Sequence, residues 1–300
     1  MLSIAASIAF TEGPAAAADG SVYFSDIINN RIMVLDPGAS SARVWREPSG
    51  RANGLLFDPL GRLLICEGNE FGPNDGNRRL TRFDFRTSAY EVLCDRFEGR
   101  RLNSPNDVAC TSDGHIYFTD PCYGDRATME LAHDSVYHLP PEGGAATICV
   151  SQPAIQRPNG VALSPDERTL YVIDSCPILG GHRKVWAFDR SPDGRIRNQR
   201  QVYDFAPGRG GDGMAVDSQG LLYVAAGLHR PRGPHETDQN PPGIYLITPE
   251  GRLQGRIDVP EDFITNVTFG GSDLRTLYVT AGKTLWTMRI ETPGWVVHRR

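Results

Sequence analysis

Short apolar runs of strand length recur along the chain, each closed by a turn signal, and six of them are opened by a polar residue. The openers are Glu12 (EGPAAAADG), Asn53 (NGLLFDPLG), Asn106 (NDVACTSDG), Asn159 (NGVALSPDER), Asp212 (DGMAVDSQG) and Asn266 (NVTFGGSDLR), successively 41, 53, 53, 53 and 54 residues apart. A period near 50 built only of strands and turns is the signature of radial β repetition, in which each repeat forms one blade. Six openers predict six blades.

After each turn comes a second β-branched or aromatic run (SVYFSD, RLLICEG, HIYFTD, TLYVID, LLYVAAG, TLYVTAG) and then a third (RIMVLDPG, RLTRFDF, SVYHLPPEG, KVWAFDRSPDG, GIYLITPEG, TLWTMRI). ARVWRE, YEVLCD, ATICVS, RQVYDF and GRIDV supply a fourth strand for the first five repeats. The last repeat has none, whereas LSIAAS precedes the first opener unassigned. This N-terminal strand is expected to complete blade six and close the ring. The expected fold is thus all-β, a six-bladed β-propeller occupying residues 1–300 as one domain. Strand alternation puts all six openers at one mouth of the central channel. Long loops at 67–79, 120–135, 174–184 and 226–243 overhang that mouth, while blades one and six give only short ones, so the cover should be lopsided.

Composition narrows the function. Gly 32 and Pro 22 suit a chain that turns this often, and a net charge of -5 argues against a nucleic-acid or anionic-membrane surface. The arginine pairs at 78–79, 100–101 and 299–300 read as solvated. No apolar stretch is long enough to span a bilayer. The opening MLSIAASIAF lacks a basic flank, and cleavage after it would remove Glu12. Cys66, Cys94, Cys110, Cys122, Cys149 and Cys176 show no CxxC spacing and read as free thiols of a reducing compartment, with a Cys122–Cys176 bridge left open. The expected location is cytoplasmic.

Two carboxylates and four carboxamides converging on a channel axis make a hard-oxygen site. It suits Ca²⁺, with Mg²⁺, Mn²⁺ or Zn²⁺ as substitutes. The alternative is that these residues serve turns only, since Asn-Gly at 53 and 159 is also a hairpin signal. No HExxH, close histidine pair or G-x-S-x-G elbow is present. Gly208, Gly210 and Gly213 match G-x-G-x-x-G, but a strand follows where dinucleotide binding requires a helix. The NVT sequon at Asn266 would lie inside the channel.

The strings RLNSPNDV, IYFTDPCYG, RPNGVALSPDERTLYV and GDGMAVDSQG, all in register, resemble the gluconolactonase, regucalcin and luciferin-regenerating-enzyme family. That resemblance implies a catalytic Ca²⁺ held by Glu12, Asn106, Asn159 and Asp212, with Asn106 serving metal or substrate. It also implies hydrolysis of a small-molecule lactone, with a sugar lactone as the expected substrate. Where the sugar-lactonase branch often has an arginine two positions before the third-blade Asn, this chain has Ser104. Asp212 is the expected catalytic group, as general base or nucleophile, with its pKa lowered by the cation. Asn53, Asp120, Tyr123, His229, Arg230 and Asn266 are expected to contact substrate, and Asp107 to orient its neighbours or stabilise a turn. An organophosphate hydrolase and a non-catalytic calcium-binding propeller are the competing functions.

Overall fold

The computed structural model describes residues 1–71, 73–231 and 233–299. Six four-stranded antiparallel sheets account for nearly all regular structure, and there is no α-helix among the described residues. The innermost strands are Thr11–Ala16, Ala52–Phe57, Val108–Cys110, Pro158–Leu163, Gly211–Val216 and Ile264–Gly270. Each neighbours the next around an axis, and the sixth returns to the first, which makes the molecule a six-bladed β-propeller. Blades pack face to face through apolar layers such as Tyr23, Phe57, Ile65 and Trp45 between the first two. In the sixth sheet the outermost strand is Ser3–Ser7, paired antiparallel with Thr284–Arg289.

Local backbone irregularity aims the openers. The ladder between first and second strands slips between Glu12 and Ala15, Ala52 and Leu55, Pro158 and Val161, and Gly211 and Met214. Such a bulge adds one residue to the inner strand and turns its side chain out of the alternating pattern, here toward the axis. Asn53-Gly54 and Asn159-Gly160 lie in these bulges, so they are not hairpin turns. Glycine is needed after the opener because adjacent inner strands nearly touch: a Cβ on Gly160 would lie 2.6 Å from the Asp212 carbonyl. Hydroxyls tie the blades together at this level. Ser25 donates to the Asn53 carbonyl (2.6 Å), Thr119 to that of Asn159 (2.7 Å) and Thr265 to that of Thr11 (2.9 Å).

The mouth loops have the expected asymmetry: residues 27–30 and 282–283 connect second to third strands in blades one and six, against 68–78, 121–134, 176–182 and 227–242 elsewhere. One arginine pair, at 78–79, corrects the sequence reading, whereas Arg100 is exposed as expected. Arg78 is buried, donating to the Thr128 carbonyl (2.9 Å) and Asn74 Oδ1 (2.8 Å), and Arg79 pairs with buried Glu67 at 2.8 Å. The pair at 299–300 ends outside the described residues. All six cysteines are free, Cys122 and Cys176 included. No described helix is long and apolar enough to cross a membrane.

Candidate active site

At the mouth the inner strands leave a cavity of about 270 Å³, near the lower end of the range for small-molecule sites, roughly 300–1,000 Å³. Five of the six openers line it: Glu12, Asn53, Asn106, Asn159 and Asp212. They come from five blades, so only the closed ring brings them together. Above them Phe10 packs against Phe71 and Phe263, ring centroids 5.3 and 6.0 Å apart, and forms an aromatic collar on the side where blades one and six lack long loops.

Asn266, the sixth opener, does not line this cavity. Its strand slips between Ile264 and Asn266, so Asn266 is back in register, opposite Thr280, and sits one layer deeper. Its Oδ1 accepts the Val267 amide (2.8 Å), and its side chain hydrogen-bonds Asp107. Asp107 joins two inner strands by accepting the amides of Val108 (2.9 Å) and Val161 (3.2 Å), and burial pushes it up to about 7.

Asp120 is also no substrate contact. It is fully buried, and its two oxygens accept the amides of Asn103 (2.8 Å) and Ser104 (2.7 Å), which hold the segment leading into Asn106. Asp174 does the same for Gln156 and Arg157 one blade on. An acid at the end of the second strand is therefore a repeated structural anchor. His229 and Arg230 are exposed and outside the cavity, where the His229 amide bonds to Asp262 Oδ1 at 2.6 Å. Tyr123 does line the cavity; its hydroxyl bonds the carbonyls of Arg157 and Ser175 (both 3.2 Å) and the side chain of Asn159.

The cavity also holds groups the sequence reading missed: Glu70, Arg183, Arg209 and Glu236. Arg209 is ion-paired with Asp212, donates to the Ile264 carbonyl (3.0 Å) and lies over the Phe263 ring, 5.1 Å from its centroid. It sits inside the glycine string that mimics a dinucleotide motif, so its value was masked by the decoy. Its spacing of three residues from Asp212 was the available signal. Arg183 donates to the His235 carbonyl at 3.2 Å. Glu70 belongs to an aperiodic loop, where no pattern marks it.

Electrostatics bear on the expected cation. Burial raises Glu12 well above the ordinary carboxylate range, and the nearby Asp212 charge raises it further; among the described residues its one hydrogen bond is from the Gly13 amide, at 2.6 Å. Burial also raises Asp212, against the pull of Arg209 and Asn159. Burial outweighs these groups, so the lowering expected of a metal ligand would have to come from the ion itself. Among the described residues no three His, Cys, Asp or Glu side chains are placed to hold a metal. Glu12 and Asp212 with the carboxamides of Asn106 and Asn159 nonetheless form an oxygen-only donor set, and two mutually repelling carboxylates fit a divalent ion.

Residues 10–283 match the model of the SMP-30/Gluconolactonase/LRE-like region. A gluconolactonase of Zymomonas mobilis is 30% identical over 97% of this chain and 81% of its own, and a regucalcin of Xenopus laevis is 25% identical over 88% and 79%. A solved structure of a gluconolactonase from Xanthomonas campestris is 31% identical and superposes with a TM-score of 0.77, over 96% of this chain and 87% of its own.

Proposed function

The chain belongs to the SMP-30/gluconolactonase/LRE-like family of sugar lactone hydrolases, and on that premise we propose that it opens a small sugar lactone at the mouth of its channel. In this reading a divalent cation, Ca²⁺ first and Mg²⁺, Mn²⁺ or Zn²⁺ as substitutes, is held by Glu12, Asn106, Asn159 and Asp212. The observation that carries it is the meeting of these four oxygen-bearing side chains in one cavity, with no Lys, Arg or His paired to Glu12 among the described residues.

When bound, the ion supplies Lewis-acid polarisation of the lactone carbonyl and offsets the negative charge of the tetrahedral intermediate. Asp212 takes a proton from the attacking water, or itself attacks the carbonyl carbon. The Arg209 guanidinium fixes the Asp212 carboxylate in direction and opposes the upward push of burial on it. Asn53 and Tyr123 offer polar groups to substrate hydroxyls, and Phe10, Phe71 and Phe263 pack against its ring and exclude water. No arginine stands at Ser104, so any cationic contact to substrate falls to Arg183 or Arg209 across the cavity.

A pH-stat screen of lactones tests the reading, with chelator and then each metal restored. Turnover of glucono-1,5-lactone that vanishes with chelator and returns with Ca²⁺ is the expected result. Full activity in chelator would refute the metal, and faster hydrolysis of an organophosphate panel would refute the substrate class.

A further inference from the structure

Glu70 and Glu236 are the acids of the cavity that the mechanism above leaves idle, and Glu70 is the one whose charge acts on Glu12 and is acted on by that of Asp212. The Glu70 loop is firmly set. The Asn69 amide donates to Ser104 Oγ (2.8 Å), Asn69 Oδ1 accepts the Gly76 amide (3.0 Å), and Arg51 holds Asp75 through two hydrogen bonds of 2.8 and 3.0 Å. Ser104 is itself fixed by Asp120. The serine that replaces an expected arginine thus anchors the loop that brings an acid to the same cavity.

Buried structural carboxylates here are held either by a cation or, as at Asp107 and Asp120, by two backbone amides, and Glu70 has neither among the described residues. Asp26 has Arg31, Asp58 has Arg62, Glu67 has Arg46 and Arg79, and Asp134 has Arg126. Glu70 has no ion pair among the described residues and one hydrogen bond, from Asn53 Nδ2 at 3.3 Å. One oxygen is left for the cavity. The charged groups that act on it are Asp212 and Glu12, both negative, and Arg209, which is committed to Asp212.

We propose, on the lactonase reading, that Glu70 is the acid that protonates the departing ring oxygen. Water adds its oxygen to the carbonyl carbon and passes one proton to Asp212. The ring carbon–oxygen bond then breaks, its electron pair stays on the ring oxygen, and that oxygen takes the Glu70 proton. The product is the open hydroxy acid, and transfer of the Asp212 proton to Glu70 resets both groups. Burial and the Asp212 charge push Glu70 up to about 8, with Arg209 pulling the other way, a direction that favours the protonated acid. A cation shared by Glu12 and Asp212 cancels the second of these causes and leaves the first.

The test compares two leaving groups in Glu70→Gln. Glucono-1,5-lactone expels an alkoxide and needs the proton; dihydrocoumarin expels a phenoxide and needs it far less. The expected result is a fall in kcat of about 10²-fold on the first and under about 5-fold on the second, with KM little changed. Ca²⁺ affinity by isothermal titration calorimetry should match wild type. The wild-type kcat on gluconolactone should fall as pH rises through the titration of Glu70, and this limb should vanish in the variant. Ser104→Ala, which frees the loop without touching the acid, should show the same substrate-selective loss at smaller size. Equal losses on both lactones, or weakened Ca²⁺ binding, would overturn the proposal. Wild type opening neither lactone would instead overturn the lactonase reading, a different pattern from any selective loss in the variant.

Discussion

The two ends of the channel are built from the same six strands and could hardly differ more. At the mouth, bulged residues point carboxylates and carboxamides at one another under an aromatic collar. Farther along the same strands Pro14, Leu55, Val161, Met214 and Phe269 surround a cavity of about 90 Å³, closed from below by Trp295, Val296 and Val297. That cap is fastened by Ser218 N to the Pro293 carbonyl (2.9 Å), Gly294 N to that of Leu274 (2.8 Å) and Trp295 N to that of Val216 (3.0 Å). One strand therefore spends stability at its start, by holding unlike partners of water together, and recovers it at its end through apolar burial. Chemistry and cohesion are separated by a few residues along each strand.

If that division holds, changes at the mouth should cut turnover and leave the fold alone, and changes at the base should do the opposite. The largest effect is expected from Asp212→Asn, a fall in kcat on the order of 10³-fold at unchanged melting temperature, while Asn53→Ala costs far less. Glu12→Gln should weaken Ca²⁺ binding by about 10²-fold in calorimetry, because it removes one of two ligand charges. Removal of residues 1–7 exposes the edge of Thr284–Arg289. The wild-type chain is expected to melt in a single transition, and this deletion should lower its midpoint by about 10 °C. A smaller loss should follow Gly294→Val, since any Cβ there would fall inside the Phe269 ring: about 2 kcal/mol in urea unfolding, with kcat within twofold of wild type. Loss of activity without loss of stability in that variant would break the comparison.

The smallest effect concerns Asp120, which burial pushes up to about 7, against the pull of two backbone amides. Between the unfolded value near 3.9 and about 7 the native state holds a proton that the unfolded chain has released, so stability falls as pH rises through that window. Unfolding midpoints of wild type and Asp120→Asn should draw closer between pH 5 and pH 8 as this contribution disappears from the wild type. A difference that stays constant with pH would show that Asp120 is not protonated in the folded protein.

Much of this was legible in the sequence because repetition multiplies a weak signal. Six spaced openers fixed the blade count, and the unpaired LSIAAS announced its partnership with TLWTMRI. What periodicity cannot encode is a one-residue offset. Asn266 occupies the repeat position of Asp212, yet its bulge comes one residue earlier and moves it a layer down. Asp120 was misread for the opposite reason: it recurs as Asp26 and Asp174, and recurrence at a strand end marks an anchor for backbone amides. Glu70 and the cap at Trp295 lie in aperiodic segments, where only the folded chain shows what they meet.

The pairing of Ser3–Ser7 with Thr284–Arg289 has a temporal side. A ribosome adds roughly 5–20 residues per second, so Ser3–Ser7 waits roughly 15 s to a minute for Thr284–Arg289 to be made. During that interval the growing polypeptide carries stacked blades with an open flank at each end, a shape suited to pairing with the wrong molecule. Expression yield should depend on how quickly translation finishes and on holdase chaperones that shield those flanks until the ends meet.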